Sequence, residues 1–474
     1  MVDTIVNGIN NVVANVNNYL YTYVLIILLI AGGLYFTIRT KAVQFTLFKE
    51  QFHAVTDKPD KKGGVSSFQA LMVSTASRVG TGNIIGVSTA LCLGGFGSVF
   101  WMWVIAVIGC ASAFVESTLA QIYKKHGKDG SYGGPAYYIE AVCGGKRGLA
   151  VIFSVFLILT YGVGFNMLAS YNLQSTFSAY QFYNPQYTQW IIGFIIALLV
   201  GYCLFGGGKR VIKVTSFLVP VMGTIYILVA IAVSLIHIKV LPSVLSRIFT
   251  EAFDLKAIFG GFGGSCIMYG IKRGLFSNEA GVGSAPNASA SAEVTHPVKQ
   301  GLVQILSVFI DTVLVCSATA FMCMTSGIEP TADLSGAPYI QMSMQSSLGT
   351  FGPIFITVSM MLFAFTTLLG NLFYVDKAIA YINKGMPGKN VMRIYYVLAS
   401  LLIFVGAGLS ADLLWNIADI TMGGMTLINI PIIMILGKYA FRALDDYKRK
   451  RAKGEDLVFS VKDIGLTHKV DYWE

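Results

Sequence analysis

Long apolar stretches alternate with short polar segments along nearly the whole chain. Because a helix needs about 20 mostly apolar residues to cross a bilayer, each long stretch is a candidate spanning helix. The first stretch is followed by Arg39 and Lys41, with no small-residue cleavage site, so we interpret it as a retained helix. The pattern predicts eleven spanning helices, at 19–38, 67–93, 97–123, 148–171, 189–206, 214–238, 257–283, 298–325, 350–382, 394–411 and 413–437.

Two of these stretches, 67–93 and 257–283, are interrupted by glycine and polar residues. A shift of 195 positions aligns Arg78, Asn83, Gly86, Val87, Ala90 and Glu116 with Arg273, Asn278, Gly281, Val282, Ala285 and Asp311. The two copies are five predicted helices apart, an odd number, so they cross the membrane in opposite senses. Inverted repeats with interrupted first helices point to a transport site near the membrane centre. Close packing of glycine-rich helices is the alternative, but it does not explain the shared arginine and asparagine.

The predicted fold is therefore an all-α membrane protein with one extra N-terminal helix followed by a 5+5 inverted repeat with two broken helices. Residues 1–64 are predicted to form an outer N-terminus, the extra helix 19–38 and a cytoplasmic loop. The first five-helix repeat is 65–240, and the second is 256–438. A basic cytoplasmic tail follows at 439–474.

The basic residues predict the orientation in the membrane, because cytoplasmic loops retain lysine and arginine. With the N-terminus outside, 28 of the 34 basic residues fall in inner segments, three in outer segments and three within helices. We therefore expect a multi-pass protein of the cell (inner) membrane, with the N-terminus outside and the C-terminus cytoplasmic. The basic run at 448–451 is then a topology signal, and no nucleic-acid partner is expected.

Composition supports a membrane transporter and disfavours an enzyme. The chain is 55% apolar and 12% charged, whereas a soluble domain carries about 25% charged residues. Its seven cysteines form no CxxC pair, its five histidines lie far apart, and no glycine-rich segment ends in GK[ST]. We predict no catalytic residues and no cofactor apart from a coupling ion. A passive channel is the alternative class, because it also needs polar groups at the membrane centre.

Polar groups within the predicted membrane region are candidates for the transport site. Where a helix breaks, its N-terminal amides attract a carboxylate and its C-terminal carbonyls hold a cation, and Gly80–Asn83 suits both. Thr366 and Thr367 offer hydroxyl oxygens to sodium, although hydrogen bonding within or between helices is the alternative. Ionisable groups at this depth should be paired: Arg78, Glu116, Arg273, Glu279, Asp311 and Asp376. Arg78 and Arg273 are either counter-charges to the acids or groups that act in gating or binding.

Four segments carry a resemblance to a known family. The segments 79–83, 94–103, 133–138 and 273–281 resemble the alanine or glycine:cation symporter family, and the likeness extends over 15–445. The resemblance implies a fold similar to the neurotransmitter:sodium symporters, with sodium as the coupling ion. It also implies a small neutral amino acid as substrate, alanine or glycine first and glutamine second.

The resemblance also implies site residues. Sodium would be held by carbonyls and hydroxyls of Ala76, Val79, Phe363, Thr366 and Thr367. The amino acid would lie against Thr81, Gly82, Asn83, Phe165, Asn166, Phe276, Ser277, Asn278 and Asn371. Asn371 departs from the family, in which tryptophan often stands at that place. It lies one helical turn after Thr367, so we expect it to face the same cavity and to admit a larger or more polar side chain.

Overall fold

The computed structural model describes residues 15–59, 64–127, 130–254, 265–466 and 470–473. The first half contains helices α1 to α11, at Asn15–Arg39, Val43–Thr46, Phe48–Thr56, Ser67–Arg78, Gly82–Gly94, Gly97–Ile122, Pro135–Val142, Gly148–Ala179, Thr188–Leu204, Gly207–Ile236 and Leu241–Ala252. The second half contains α12 to α18, at Cys266–Asn278, Pro286–Ser289, Pro297–Met324, Ala337–Leu348, Phe351–Ile382, Lys389–Gly406 and Ala411–Lys453.

Eight of the described helices are long and apolar enough to cross a membrane, and α9 is a shorter apolar helix. Two further predicted stretches are divided. The first forms α4 and α5 with a break between them, and the second ends its first helix, α12, at Asn278. The mostly helical, multi-pass architecture is therefore confirmed, while the count of eleven and the repeat stay predictions. Part of the predicted helix 257–283 lies outside the described residues.

Two features depart from the sequence prediction. A small antiparallel hairpin pairs Lys125–Gly127 with Gly130–Tyr132, so the described chain is not purely helical. The last helix was predicted to end at 437, where the apolar stretch stops, but it continues to Lys453. Alanine, lysine and arginine are strong helix formers, so the helix outlasts its apolar part.

Local distortions surround the centre of the molecule. Segments of π-helix occupy Gly82–Gly86, Ile158–Gly164 and Phe309–Cys316. Such segments are rare in proteins, but where they occur they often lie at functional sites. Helix α4 packs against α10, α14 and α16. Its approach to α16 is close, because a Cβ added to Gly370 of α16 would lie 2.6 Å from the Ser77 nitrogen. Small residues thus allow α16 to approach the first break closely.

Candidate functional site

The first break separates α4 from α5. Helix α4 starts with a capping box, in which Ser66 Oγ accepts from the Gln69 nitrogen and Gln69 Oε1 accepts from the Ser66 nitrogen. The helix ends at Arg78, and the Gly80 nitrogen donates to Asn83 Oδ1 at 2.8 Å. The asparagine side chain therefore satisfies a backbone donor that the break leaves without a helical partner.

The second break follows α12. Glu279 has left-handed backbone angles, φ 54° and ψ 19°, and the Ala280 nitrogen donates to Asn278 Oδ1 at 3.0 Å. The Glu279 carboxylate accepts from Ser284 Oγ at 2.5 Å and lies 3.2 Å from Ser77 Oγ of the first break. One carboxylate thus contacts both breaks.

A second buried carboxylate joins the two breaks on another side. Asp311 of α14 is fully buried, and its side chain accepts from Asn83 Nδ2 at 2.7 Å and from Ser277 Oγ at 2.7 Å. Thr312 Oγ1 donates to it at 2.8 Å. Three neutral donors therefore satisfy this acid, and they fix the first break relative to the second.

The breaks meet at a small central cavity of about 10 Å³, which has room for roughly one water molecule. It is lined by Ser77, Arg78, Gly80, Thr81, Gly82, Phe165, Phe276 and Thr367. Four residues from the predicted substrate set and one from the predicted sodium set therefore share one cavity.

The remaining predicted substrate residues are buried but do not line the cavity. Asn83, Ser277 and Asn278 belong to the hydrogen-bond networks of the breaks. Asn371 Nδ2 donates to Asn166 Oδ1 at 2.9 Å, and its Oδ1 lies 2.7 Å from Ser77 Oγ. Both amides therefore lie behind the cavity wall in this conformation, since polar side chains buried among protein atoms need partners there.

Two of the predicted sodium residues lie at the end of α4, and the other three lie on α16, which packs against α4. Ala76 and Val79 are buried there, and the ring of Phe363 packs 5.2 Å from that of Tyr226. Thr366 Oγ1 donates back to the Leu362 carbonyl at 3.0 Å, within its own helix.

The hydroxyl of Thr367 behaves differently from that of Thr366. Thr367 Oγ1 is buried and has no hydrogen-bond partner among the described residues, and an added Cβ on Gly80 would overlap it. It is therefore an oxygen at the first break that remains available to an ion.

A vestibule of about 810 Å³ lies on one side of the cavity. Its charged lining residues are Lys272, Arg273, Asp412 and Asp419. Lys272 Nζ lies 2.8 Å from Asp419 Oδ2, and Arg273 Nη2 lies 3.6 Å from the same oxygen. Arg273 is thus a counter-charge to an acid of α18, one of the two roles that the sequence left open.

An aromatic layer separates this vestibule from the cavity. The Arg273 guanidinium lies 3.8 Å above the Trp415 ring, whose centroid lies 4.7 Å from that of Phe276. Phe276 in turn lies 4.5 Å from Phe165. A Cβ on Gly82 would lie 2.8 Å from the Phe276 ring, so this glycine makes room for the layer.

The side of the molecule away from the vestibule is closed by backbone and apolar contacts. The Glu293 nitrogen donates to the Val65 carbonyl at 2.9 Å, just before α4. Ala70 of α4 packs against Ala292 and Val294. The cavity is therefore enclosed between the aromatic layer and this packing.

Comparison with known proteins identifies the class of molecule to which this enclosed site belongs. Residues 6–461 match the sodium:alanine symporter family. The chain belongs to this family. The predicted family membership is confirmed, and the protein is a transporter that works by symport, not an enzyme.

Several relatives of this symporter align over nearly its whole length. Amino-acid carrier protein AlsT of Bacillus subtilis is 39% identical over 98% of each chain. The probable sodium/glutamine symporter GlnT of the same organism is 40% identical over 98% of this chain and 96% of its own. The sodium/alanine symporter AgcS of Methanococcus maripaludis is 34% identical over 94% of this chain and 99% of its own.

The fold of this symporter is also found among solved structures. The crystal structure of MhsT in complex with L-phenylalanine superimposes with a TM-score of 0.58 at 14% identity. The match covers 81% of this chain and 92% of that one. At this identity the likeness concerns the fold alone.

Sequence reasoning missed two parts of the site, Asp419 and Trp415. Asp419 lies within the predicted helix 413–437, and a charged residue at membrane depth is itself a signal of function. Trp415 carried no such signal, because an aromatic residue near a helix end is common at membrane interfaces.

Proposed function

We propose that this symporter carries alanine or glycine into the cell together with sodium by alternating access. The observation that supports this most is the meeting of both helix breaks at one cavity, beside the unbonded hydroxyl of Thr367. Broken helices supply amides for a carboxylate and carbonyls for a cation. The sodium ligands would be those that the sequence predicts, with Thr367 foremost.

Glutamine is the second candidate substrate. One relative at 40% identity is named a probable sodium/glutamine symporter, and Asn371 stands where tryptophan is common in the family. An amide is smaller than an indole and both donates and accepts hydrogen bonds, so Asn371 fills less of the space behind the cavity wall than tryptophan would.

A passive channel is disfavoured by the enclosed cavity. A pore needs a continuous path across the membrane. Here the central cavity has a volume of only about 10 Å³ and is enclosed between the aromatic layer and packed backbone. Purified protein in liposomes should accumulate glycine, L-alanine or L-glutamine above the external concentration only with an inward sodium gradient. A matched potassium gradient is the control. Mere equilibration of these amino acids, independent of sodium, would contradict symport.

We further propose that the vestibule faces the outside. It is lined by 171–183, 335–338 and 410–416, which include segments that the basic-residue pattern predicts to be outer. A single cysteine at Gln186 should react with an impermeant thiol reagent in intact cells, and one at Lys453 should react only after permeabilisation. Labelling of the Lys453 variant in intact cells would show that the C-terminus lies outside and that the proposed orientation is wrong.

The sodium site predicts a difference between two adjacent threonines. Thr367→Val should raise the sodium concentration for half-maximal binding about tenfold or more, because it removes an unbonded oxygen beside the ion. Thr366→Val should have a smaller effect, since that hydroxyl already donates to the Leu362 carbonyl. Sodium-dependent binding of the transported amino acid measures both. Equal sodium dependence in Thr367→Val and wild type would remove Thr367 from the ion site.

Asn371 predicts the width of the substrate range. Asn371→Trp should displace Ser77 toward the cavity, because the amide packs directly behind that residue at 2.7 Å. Competition by glutamine should then fall relative to glycine and alanine, as judged by uptake with each competitor. Asn371→Ser, which keeps a hydrogen-bonding group, is the matched control. An unchanged rank order in a well-expressed tryptophan variant would refute the idea.

A further inference from the structure

The guanidinium of Arg78 is buried and held by one edge only. The residue is 2% exposed, and its Nη1 donates to Gln304 Oε1 at 2.8 Å. Gln304 Nε2 in turn donates to Ser74 Oγ at 3.0 Å, which fixes the glutamine. Within the part of the chain that the structure describes, Nε and Nη2 of Arg78 have no hydrogen-bond partner. These two nitrogens share one edge of the planar group, and their parallel N–H bonds match the two oxygens of a carboxylate.

The buried acids of the protein do not occupy this edge. Among the described residues, no carboxylate oxygen lies within 4.0 Å of a nitrogen of Arg78. Glu116 accepts from Asn429 at 2.9 Å, and Glu279 and Asp311 accept from the hydroxyl and amide groups described above. The hydrogen bonds of each acid thus come from neutral donors and Gln304 binds the arginine, although all three acids lie near enough to Arg78 to interact with its charge.

The position of Arg78 indicates what its free edge binds. Arg78 is the charged member of the set of described residues that line the central cavity. Its two nitrogens that make no hydrogen bond to the described residues are suited to an anionic group that enters the cavity, because a carboxylate matches the paired donors of a guanidinium. Every amino acid that the proposed function considers brings such a group as its α-carboxylate.

We propose that the Nε–Nη2 edge of Arg78 binds the α-carboxylate of the transported amino acid, and that Gln304 positions it. The inference rests on the proposed function and adds to it the group that recognises the substrate. It predicts that recognition depends on the carboxylate, which all candidate substrates share, so that selectivity among their side chains arises elsewhere in the cavity.

The test compares amino acids with their α-amides, in which the carboxylate is replaced by a neutral group. Full-length protein in sodium is titrated at neutral pH with glycine, L-alanine and L-glutamine. The tightest of these is then compared with its own α-amide. Wild type should prefer the acid by about 100-fold, because a bidentate, charge-assisted contact is lost in the amide. Arg78→Gln should weaken binding of the acid about 10- to 100-fold and leave binding of the amide nearly unchanged.

Two further variants distinguish the effect of the paired N–H donors of Arg78 from the effect of its charge and from a loss of folding. Arg78→Lys keeps the charge but not the paired donors, so its preference for the acid should be intermediate. Gln304→Leu keeps Arg78 but releases its Nη1, so it should also lower the preference, even if Arg78→Gln does not fold. Arg247→Gln, which changes a guanidinium paired with Glu251 and Glu329 outside the site, should keep the wild-type ratio of acid to amide affinity.

The outcomes separate this inference from the proposed function. If acid and amide binding weaken equally in both Arg78→Lys and Gln304→Leu, or if neither changes, Arg78 does not bind the carboxylate. In that case sodium-dependent binding by wild type still supports amino-acid symport. If wild type binds none of the three amino acids in sodium, the proposed function itself is wrong.

Discussion

Gly80→Ala should strongly reduce sodium-driven uptake while leaving the protein in the membrane. An added Cβ would overlap Thr367 Oγ1 and lie 3.1 Å from Thr367 Cβ, so the first break and α16 would have to separate. Overpacking of this kind costs about 1–3 kcal/mol, which corresponds to a loss of binding of about 5- to 150-fold. Uptake into liposomes and sodium-dependent binding measure the effect.

A matched glycine provides the control for Gly80→Ala. Gly223 lies within α10, and a Cβ there would meet nothing within 4 Å, so Gly223→Ala should behave as wild type. The double variant Gly80→Ala with Thr367→Ala removes the overlapping hydroxyl. It should relieve the steric overlap but not restore the sodium response, because the oxygen is lost as well. Wild-type uptake by Gly80→Ala would show that this contact is not needed for transport.

Asp311→Ala should destabilise the protein by about 3–5 kcal/mol, the second large effect. The change removes three hydrogen bonds to a charged group, each worth about 1.5–3 kcal/mol, although such contributions are not fully additive. It removes the carboxylate acceptor of Asn83, Ser277 and Thr312, of which Asn83 and Ser277 keep only weaker contacts to the Asp311 carbonyl or to Cys316 Sγ. Because Asn83 and Ser277 belong to different breaks, the two halves of the site should also lose their relative position.

Stability in detergent, followed by thermal or denaturant unfolding, measures the loss for Asp311→Ala. Asp333→Ala is the matched control, because Asp333 is exposed and its removal should change stability by less than about 0.5 kcal/mol. Asp311→Asn should fall between the two, since an amide keeps one acceptor oxygen. An Asp311→Ala protein as stable as wild type would mean that the breaks are held together by other contacts.

The helix breaks were the part of the site that local sequence could predict. The apolar stretches contain residues that are unfavourable inside a helix, namely Gly80, Asn83 and Asn278. The chain does leave the helix beside them. The reason is local: the asparagine side chains replace backbone partners within three residues of themselves.

The direction in which a side chain points could be predicted less well. Asn371 shares a helix face with Thr367, yet Thr367 lines the cavity and Asn371 bonds to Asn166 behind it. Four residues along a helix turn the side chain by about 40° beyond one full turn, which is enough to move it from the cavity to a neighbouring helix.

Contacts between distant helices were beyond the reach of sequence patterns. The pairing of Arg78 with Gln304 and that of Lys272 with Asp419 join segments that are far apart in the chain. Periodicity shows which residues share a face, but not which helix that face will meet. The sequence therefore predicted that Arg78 should be paired at this depth, but it could not predict that Gln304 would be the residue hydrogen-bonded to it.

The aromatic layer gives this transporter a built-in optical reporter. The chain has five tryptophans, and Trp415 lies between a guanidinium and the ring of Phe276. We expect a movement that admits solute from the vestibule to change the contacts of this indole with Arg273 and Phe276. Indole emission depends on both the local electric field and hydration, so opening and closing can be followed by intrinsic fluorescence in a protein that carries no attached dye.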